Sequence, residues 1–362
     1  MNNKFNYRKK VLFVLPTLTA GGAQRVISFV AQNIDNKKFE STLLIIGSKK
    51  DAAYKIEKTP VIYLDKDRVL NAIPALFLFL LKHRPHIVLS SISHLNTIMG
   101  IMSLFFLKTK FIIREASVVS FMSKFGSKHK NSNKLHSFLP HLSYKFINII
   151  VCQSRDMADD FMNIYKINKN KIVIINNPIT QNYPVKKETN SNTGITRYIT
   201  VGRLSKEKGH KRILRILSKL KFPFHYTIIG DGPYKEEVFA AIDKYNLNEK
   251  ITYIPFTSEV SKYIALNDYF LQGSYVEGFP NTALESCLVG TPVIAFNVPG
   301  GTKEIITHKE NGYLAESEEY FLKCLTSSST FIPTKISESV KFKFSKNKII
   351  DQYETLFSKI TP

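Results

Sequence analysis

The sequence predicts an α/β protein built from two Rossmann-like domains, each with a parallel sheet, and three observations carry that expectation. Short β-branched runs alternate with segments whose apolar residues recur every three or four positions. The runs are continuously apolar save for an occasional Ser or Thr, not alternating with polar residues, as suits strands of a parallel sheet covered on both faces. The alternation stops once, near residue 178, and restarts near 197. With 362 residues the chain exceeds one ordinary core and suits two domains of about 100–200 residues. The expected division is 1–178 for the first domain, 179–196 for a linker, 197–340 for the second domain and 341–362 for a C-terminal helix able to pack back on the first.

In the first domain the expected strands are Val11–Leu15, Thr42–Ile46, Val61–Leu64, Ile87–Ser90, Phe111–Ile113, Ile149–Cys152 and Ile172–Ile175. Between the first two, Ala23, Val26, Ile27, Val30, Ala31 and Ile34 mark an amphipathic helix. Asn176–Asn177–Pro178 then opens a polar, aperiodic stretch, QNYPVKKETNSNTG, which reads as the linker. Strands resume near Tyr198–Val201, Tyr226–Ile229, Ile251–Ile254, Tyr269–Leu271 and Val293–Phe296, and Ile213, Ile216, Leu217 and Leu220 mark the first helix of the second domain. Ile349, Tyr353, Leu356 or Phe357, and Ile360 mark the last helix. Two such domains are expected to face one another across a cleft, where ligands commonly bind.

Composition narrows the function. A large apolar fraction with 26 Phe and 17 Tyr excludes a disordered chain. The net charge of +22 is unevenly placed: residues 1–190 hold 29 Lys and Arg against 11 Asp and Glu, whereas the remainder holds 22 against 18. A basic half attracts anionic lipid, phosphorylated substrates or nucleic acid, although solvated surface lysine explains it equally. Three cysteines, Cys152, Cys287 and Cys324, lie far apart and read as small buried apolar residues in a reducing compartment. The basic N-terminus followed by Val11–Leu15 imitates a signal peptide, but Pro16 interrupts the run, which reads better as a first strand. Val69–Leu81 and Ile98–Leu107 are shorter than the roughly 20 residues of a membrane span.

Several segments at strand ends carry candidate chemistry. VGRLSKEKG, Val201 to Gly209, places Gly202 at a turn and the cations Arg203 and Lys208 at the carboxyl edge of the sheet, where a departing diphosphate needs neutralisation. IIGDGP follows the next strand, and Gly230 and Gly232 serve either close ligand approach or a plain turn. In SYVEGFPNTALES, Glu277 and Glu285 bracket Gly278, Phe279, Pro280, Asn281 and Thr282. Asn281 is the expected N-cap, the amides of 278–282 would face an anion, and Glu285, one turn inside, can accept hydrogen bonds from the hydroxyls of a ribose. Gly21–Gly22 closes the first strand without a dinucleotide fingerprint. His94 follows the Ile87–Ser90 strand, and Arg114–Glu115 ends its neighbour. Ser120–Lys145 mixes Lys124, Lys128, Lys130, Lys134 and Lys145 with aromatics and no acid, which suits an anionic membrane or a phosphorylated acceptor, or simply an exposed loop.

Taken in order, GGAQRV, VGRLSKEKG, GDGP, EGFPNTALES and VGTPVIAFNVPGGTKEII resemble the family 4 glycosyltransferases of the GT-B fold, over nearly the whole chain and most specifically in its second half. The resemblance implies retaining, metal-independent transfer of a hexose or N-acetylhexosamine from a nucleoside diphosphate sugar, with UDP the favoured nucleotide and no further cofactor. By position, Arg203 and Lys208 would hold the diphosphate, Glu285 the ribose, and Glu277 with the 278–282 backbone the transferred sugar. Gly21–Gly22 would face the phosphates and acceptor, and His94 the reacting sugar. Gln24 stands where many members carry Glu, and Arg114–Glu115 where others carry a histidine. Short members of this layout resemble enzymes that extend lipid-linked bacterial surface polysaccharides. The resemblance thus implies a glycan or polyprenyl-diphosphate-linked acceptor and a cytoplasmic enzyme peripheral to the inner face of the plasma membrane. The alternatives of another class are a nucleotide-sugar epimerase or hydrolase of the same plan, and a basic nucleic-acid-binding protein, against which stands the absence of any recognised binding module.

Overall fold

The structure, a computed structural model, describes residues 8–122, 125, 134–187, 194–327 and 330–361. The chain divides into two compact units: residues 1–119, 127–180 and 346–362 form the first, and 120–126 with 181–345 the second.

The first unit is a seven-stranded parallel sheet of β1 (Lys9–Leu15), β2 (Phe39–Ile45), β3 (Val61–Tyr63), β4 (Ile87–Ser91), β5 (Lys110–Arg114), β6 (Ile149–Cys152) and β7 (Ile172–Ile174), in the order β3-β2-β1-β4-β5-β6-β7. The order runs outward in both directions from β1 and β4, so the point where it reverses lies between them. The helix Gly22–Asn33 buries Val26, Ile27 and Val30 on the sheet, the face its spacing predicts. The last helix, Lys346–Ile360, belongs to this unit despite its distance in sequence. It inserts Ile349, Tyr353 and Phe357 into the core, and the Phe357 ring meets Phe13 and Phe39 edge-on at 6.2 and 5.8 Å.

The second unit is a six-stranded parallel sheet of β8 (Thr196–Val201), β9 (Phe224–Ile229), β10 (Ile251–Ile254), β11 (Tyr269–Gln272), β12 (Val293–Phe296) and β13 (Gly312–Ala315), ordered β10-β9-β8-β11-β12-β13. Here the reversal lies between β8 and β11. The edge strand β13 is one the sequence reading omits; its four residues, GYLA, hold no β-branched side chain. Ile213, Ile216 and Leu217 of the helix His210–Leu217 join Tyr226, Leu271 and Phe321 in the core. All three cysteines are free and buried, as small apolar residues are.

Candidate active site

In open parallel α/β sheets the crevice for ligands forms beyond the carboxyl ends of the strands at the reversal point. In the second unit, the loops that leave β8 and β11 there carry Arg203, Lys208 and Glu277, residues the sequence reading expects at a donor site. The β8 loop runs from Gly202 through a 3₁₀ turn at Lys206–Lys208 to Gly209, which is left-handed at φ 64°. A side chain at 209 would place its Cβ 1.9 Å from the Gly273 carbonyl, so glycine allows the β8 loop to lie directly on the β11 loop. The Tyr275 amide donates to the Glu207 carbonyl at 2.8 Å and ties the two loops again.

This contact brings Lys208 to Glu277. The lysine Nζ donates to both carboxylate oxygens, at 2.7 and 2.9 Å, and Ser274 Oγ donates to Glu277 Oε1 at 2.5 Å. The Glu277 side chain is 8% exposed, so its charge depends on these partners. An ammonium carries three N–H groups, and the pair uses two, leaving one for an incoming oxygen. Glu277 is also fixed through its backbone: its amide donates to Pro299 O at 3.1 Å, and it bridges to Gly300. Gly300, at φ 119°, would drive a Cβ to 1.5 Å from the Glu277 carbonyl oxygen. Arg203 is exposed at the same edge, and open space lies above the Gly202 Cα. Gly230, by contrast, sits under this loop, against the Gly202 carbonyl.

The helix Asn281–Val289 follows the Glu277 loop. Its N-cap is Pro280 and not Asn281, because proline's fixed φ suits the turn into a helix. No side chain caps the end and no acid occupies the first turn, so the positive end of the helix dipole is left uncompensated. Glu285 is buried on this helix, and Phe279 packs edge-on against Phe344 at 5.4 Å.

Arg212 is a functional-site neighbour that sequence reasoning missed. Its buried guanidinium lies 3.5 Å from the Phe296 ring and 4.1 Å from Tyr275, and it donates to the Gly273 and Ser274 carbonyls. Burial lowers its pKa to about 10, still far above neutrality. Arg212 therefore fixes the loop that presents Ser274 and Glu277. In sequence it is one cation among several on a helix, and only an otherwise apolar spacing hints at its burial. His210, beside it, is also buried; its Nε2 meets the Arg203 carbonyl at 3.1 Å, and burial lowers its pKa to about 4.

At the corresponding point of the first unit, between β1 and β4, the site is of another kind. A cavity of about 1150 Å³ is lined by Ile46, Val69, Ile73, Ile92, Ile98 and Tyr144 on its apolar side and by Asp51, Asp65, Arg68 and His94 on its polar side. Ile92 holds φ 85°, a conformation costly for a β-branched residue, and it directly precedes the helix Ser93–Met102 that carries His94. Partial burial lowers the His94 pKa, which favours the neutral imidazole. The Gly21 amide and carbonyl are both bonded to the Tyr54 hydroxyl at 3.0 Å, and Gly22 begins the first helix.

Arg114 and Glu115, expected at the acceptor or membrane face, are instead buried. The central position of β5 covers them, with Arg114 bonded to Asn177 at 2.5 Å and Glu115 accepting from the Ala116 amide. Burial raises the Glu115 pKa to about 7. Lys124, Lys128 and Lys130 lie outside the described residues, and Lys134 opens the helix Lys134–Ser143. Among the described residues no group of three or more His, Cys, Asp and Glu is arranged to hold a metal ion, and no helix is long and apolar enough to cross a membrane.

Two family models match successive parts of the chain, Glycosyltransferase Family 4 over residues 20–182 and Glycosyl transferases group 1 over residues 184–321. The chain belongs to the family 4 glycosyltransferases. It is 26% identical over 330 residues to the N-acetylgalactosamine-N,N'-diacetylbacillosaminyl-diphospho-undecaprenol 4-alpha-N-acetylgalactosaminyltransferase of Campylobacter jejuni, a match covering 85% of this chain and 86% of that one. It is 33% identical over 128 residues to an amylovoran biosynthesis glycosyltransferase of Erwinia amylovora, across 34% and 36% of the two chains. Among solved structures, the lipopolysaccharide outer core galactosyltransferase WaaB superimposes with a TM-score of 0.76 at 18% identity, covering 97% of this chain and 99% of that one. Anabaena HepE in complex with UDP gives 0.77 at 16% identity, covering 97% and 100%. These likenesses establish the GT-B fold, and this glycosyltransferase has its two parallel sheets as the two Rossmann-like domains of that fold.

Proposed function

We propose that this glycosyltransferase is a retaining enzyme. It moves a hexose or N-acetylhexosamine from a nucleoside diphosphate sugar, UDP being the expected nucleotide, to a glycan or polyprenyl-diphosphate-linked acceptor. The setting is synthesis of a bacterial surface polysaccharide, at the inner face of the plasma membrane. The observation that carries the reading is Lys208 seated on Glu277 with one N–H unused, beside Arg203 and a helix end that no side chain caps. A diphosphate is the ligand that needs two cations and a row of amides together. The C. jejuni relative, named for a diphospho-undecaprenol substrate, supports the acceptor class, and the UDP-bound neighbour supports the nucleotide.

In this mechanism the acceptor hydroxyl attacks the anomeric carbon on the face from which the diphosphate departs. The glycosidic C–O bond to phosphate breaks, the new C–O bond forms, and the leaving phosphate oxygen takes the hydroxyl proton. Arg203 and Lys208 stabilise the negative charge that develops on that oxygen. Glu277 orients Lys208 and contacts the sugar, Glu285 receives the ribose, and the 278–282 backbone meets the donor. The cavity of the first unit, with His94 in its wall, receives the acceptor.

A panel of UDP-, GDP- and ADP-sugars tests the reading through thermal stabilisation and hydrolysis, with and without EDTA. One nucleotide is expected to raise the melting temperature by several degrees at saturation, and EDTA is expected to leave turnover unchanged. Failure of every nucleotide to bind overturns the proposal.

A further inference from the structure

From Arg68 to Arg114 the chain runs 47 residues without one aspartate or glutamate. Inside that stretch, the helix Ile73–His83 buries Leu76 and Leu80 on the sheet. Its opposite face should be polar in a surface helix. It is not: Leu70, Pro74, Leu78 and Leu81, spaced by four, four and three, are all exposed, Leu78 at 65%. Just beyond the helix Ser93–Met102, Leu104, Phe105 and Leu107 are exposed as well, Phe105 at 66% and Leu107 at 82%. The two segments are neighbours, since Phe77 meets the Phe105 and Phe106 rings edge-on at 5.8 and 5.2 Å. Together they form one apolar surface bordered by exposed Lys82, Arg84 and Lys108. Contiguous apolar surface of this kind marks an interaction site.

We propose that this face docks the first unit on an anionic phospholipid surface, its leucines and phenylalanines at the boundary of headgroups and acyl chains and its cations among the headgroup phosphates. An 11-residue helix is only about 16 Å long, so it lies on a bilayer and does not cross one. The charge argues for lipid over a second copy of this chain. A two-fold pairing would set the same patch against itself, and that patch has cations at its border and no acid in its sequence to answer them. The surface also adjoins the cavity: Leu70, Ile73, Ile98 and Ile101 line it. A lipid-linked acceptor could thus enter from the membrane without its apolar end meeting water. That last step rests on the acceptor reading above; binding to vesicles does not.

The test is co-sedimentation of the full chain with vesicles of about three parts phosphatidylcholine to one part phosphatidylglycerol. Wild type is expected to bind them and to retain part of the binding at about 0.5 M salt, where surface charge is screened. The double variant Leu78→Glu/Phe105→Glu is expected to bind about tenfold less or weaker, with its melting temperature and nucleotide stabilisation unchanged. Lys82→Gln/Lys108→Gln is expected to weaken binding by a smaller factor, and only at low salt. Wild type left in the supernatant, or a glutamate variant that binds as well as wild type, overturns the proposal. So does a wild-type dimer, seen by ultracentrifugation, that the glutamate variant dissociates while vesicles bind neither. Loss of nucleotide stabilisation in wild type, with vesicle binding intact, counts against the donor reading alone.

Discussion

The two sheets end in the same topology and in opposite chemistry. At the β8/β11 reversal the loops are locked by backbone contacts at Gly209 and Gly300 and present ions: Lys208, Glu277 and Arg203. At the β1/β4 reversal there is a roomy cavity with an extensive apolar wall and the charged groups Asp51, Asp65 and Arg68 on its polar side, while Arg114 and Glu115 are sealed beneath the surface. A nucleoside diphosphate always brings the same charges in the same spacing, so a site for it can be rigid and ionic. An acceptor varies from enzyme to enzyme, and volume with a few polar groups is what accommodates it.

Removing the exposed cation from the ionic side sharpens this contrast most. Arg203→Ala is expected to lower kcat by about 10²–10³-fold, the scale of losing one preorganised charge contact to the transition state. Circular dichroism and melting temperature should stay as in wild type because the side chain is exposed. Near-normal turnover would show that the ionic side is not where the leaving group is stabilised.

The next effect is on stability. Gly300→Ala asks a side chain to adopt φ 119° and to overlap the Glu277 carbonyl, and is expected to cost about 3 kcal/mol in urea unfolding. An alanine variant as stable as wild type would mean that the Glu277 loop is not fixed by this contact.

The smallest effect separates the units by pH. His210 is neutral in the fold, with its pKa lowered to about 4 by burial. Between about pH 4 and its unfolded value near 6.5 the unfolded chain binds the extra proton, so His210 stabilises the second unit at neutral pH and that contribution is lost on acidification. Glu115 has the opposite sign. Its pKa is raised to about 7, so from its unfolded value near 4.5 up to 7 the folded chain holds the extra proton, and stability falls as pH rises. Each slope is bounded by about 1.4 kcal/mol per pH unit for one proton. Melting curves from pH 5 to 8 are expected to show Glu115→Gln gaining on wild type as pH rises. The penalty of His210→Gln should shrink as pH falls. Parallel curves for both variants would remove the distinction.

Most of the sheets was legible because a buried parallel strand is apolar along most of its length, on both faces. The runs at Val11–Leu15 and Tyr226–Ile229 announce themselves for that reason, whereas GYLA, though nearly as buried, holds no β-branched residue and does not. Arg203, Lys208 and Glu277 stand out in sequence because they follow strand ends at a spacing that a covered core has no use for, and the fold does pair Lys208 with Glu277. Arg212 and Arg114 were not, since sequence marks a cation but not whether a carbonyl or an amide oxygen waits for it in the interior. The cap at Pro280 was missed because Asn281 has the better capping side chain, and backbone geometry outweighed it. The exposed leucines of Ile73–His83 look like core in sequence; only the fold shows which face has nothing over it.

The bond between Lys208 and Glu277 has a consequence for the end of the cycle. A pocket that met the diphosphate with two bare cations would keep its grip on the nucleotide left behind, which is more highly charged than the sugar donor that arrived. In the mechanism proposed above, Glu277 would already answer half of that positive charge, so the spent nucleotide would find a weaker hold and a carboxylate ready to reclaim the lysine. On that proposal, the salt bridge that orients the cation for transfer would also help empty the site for the next round.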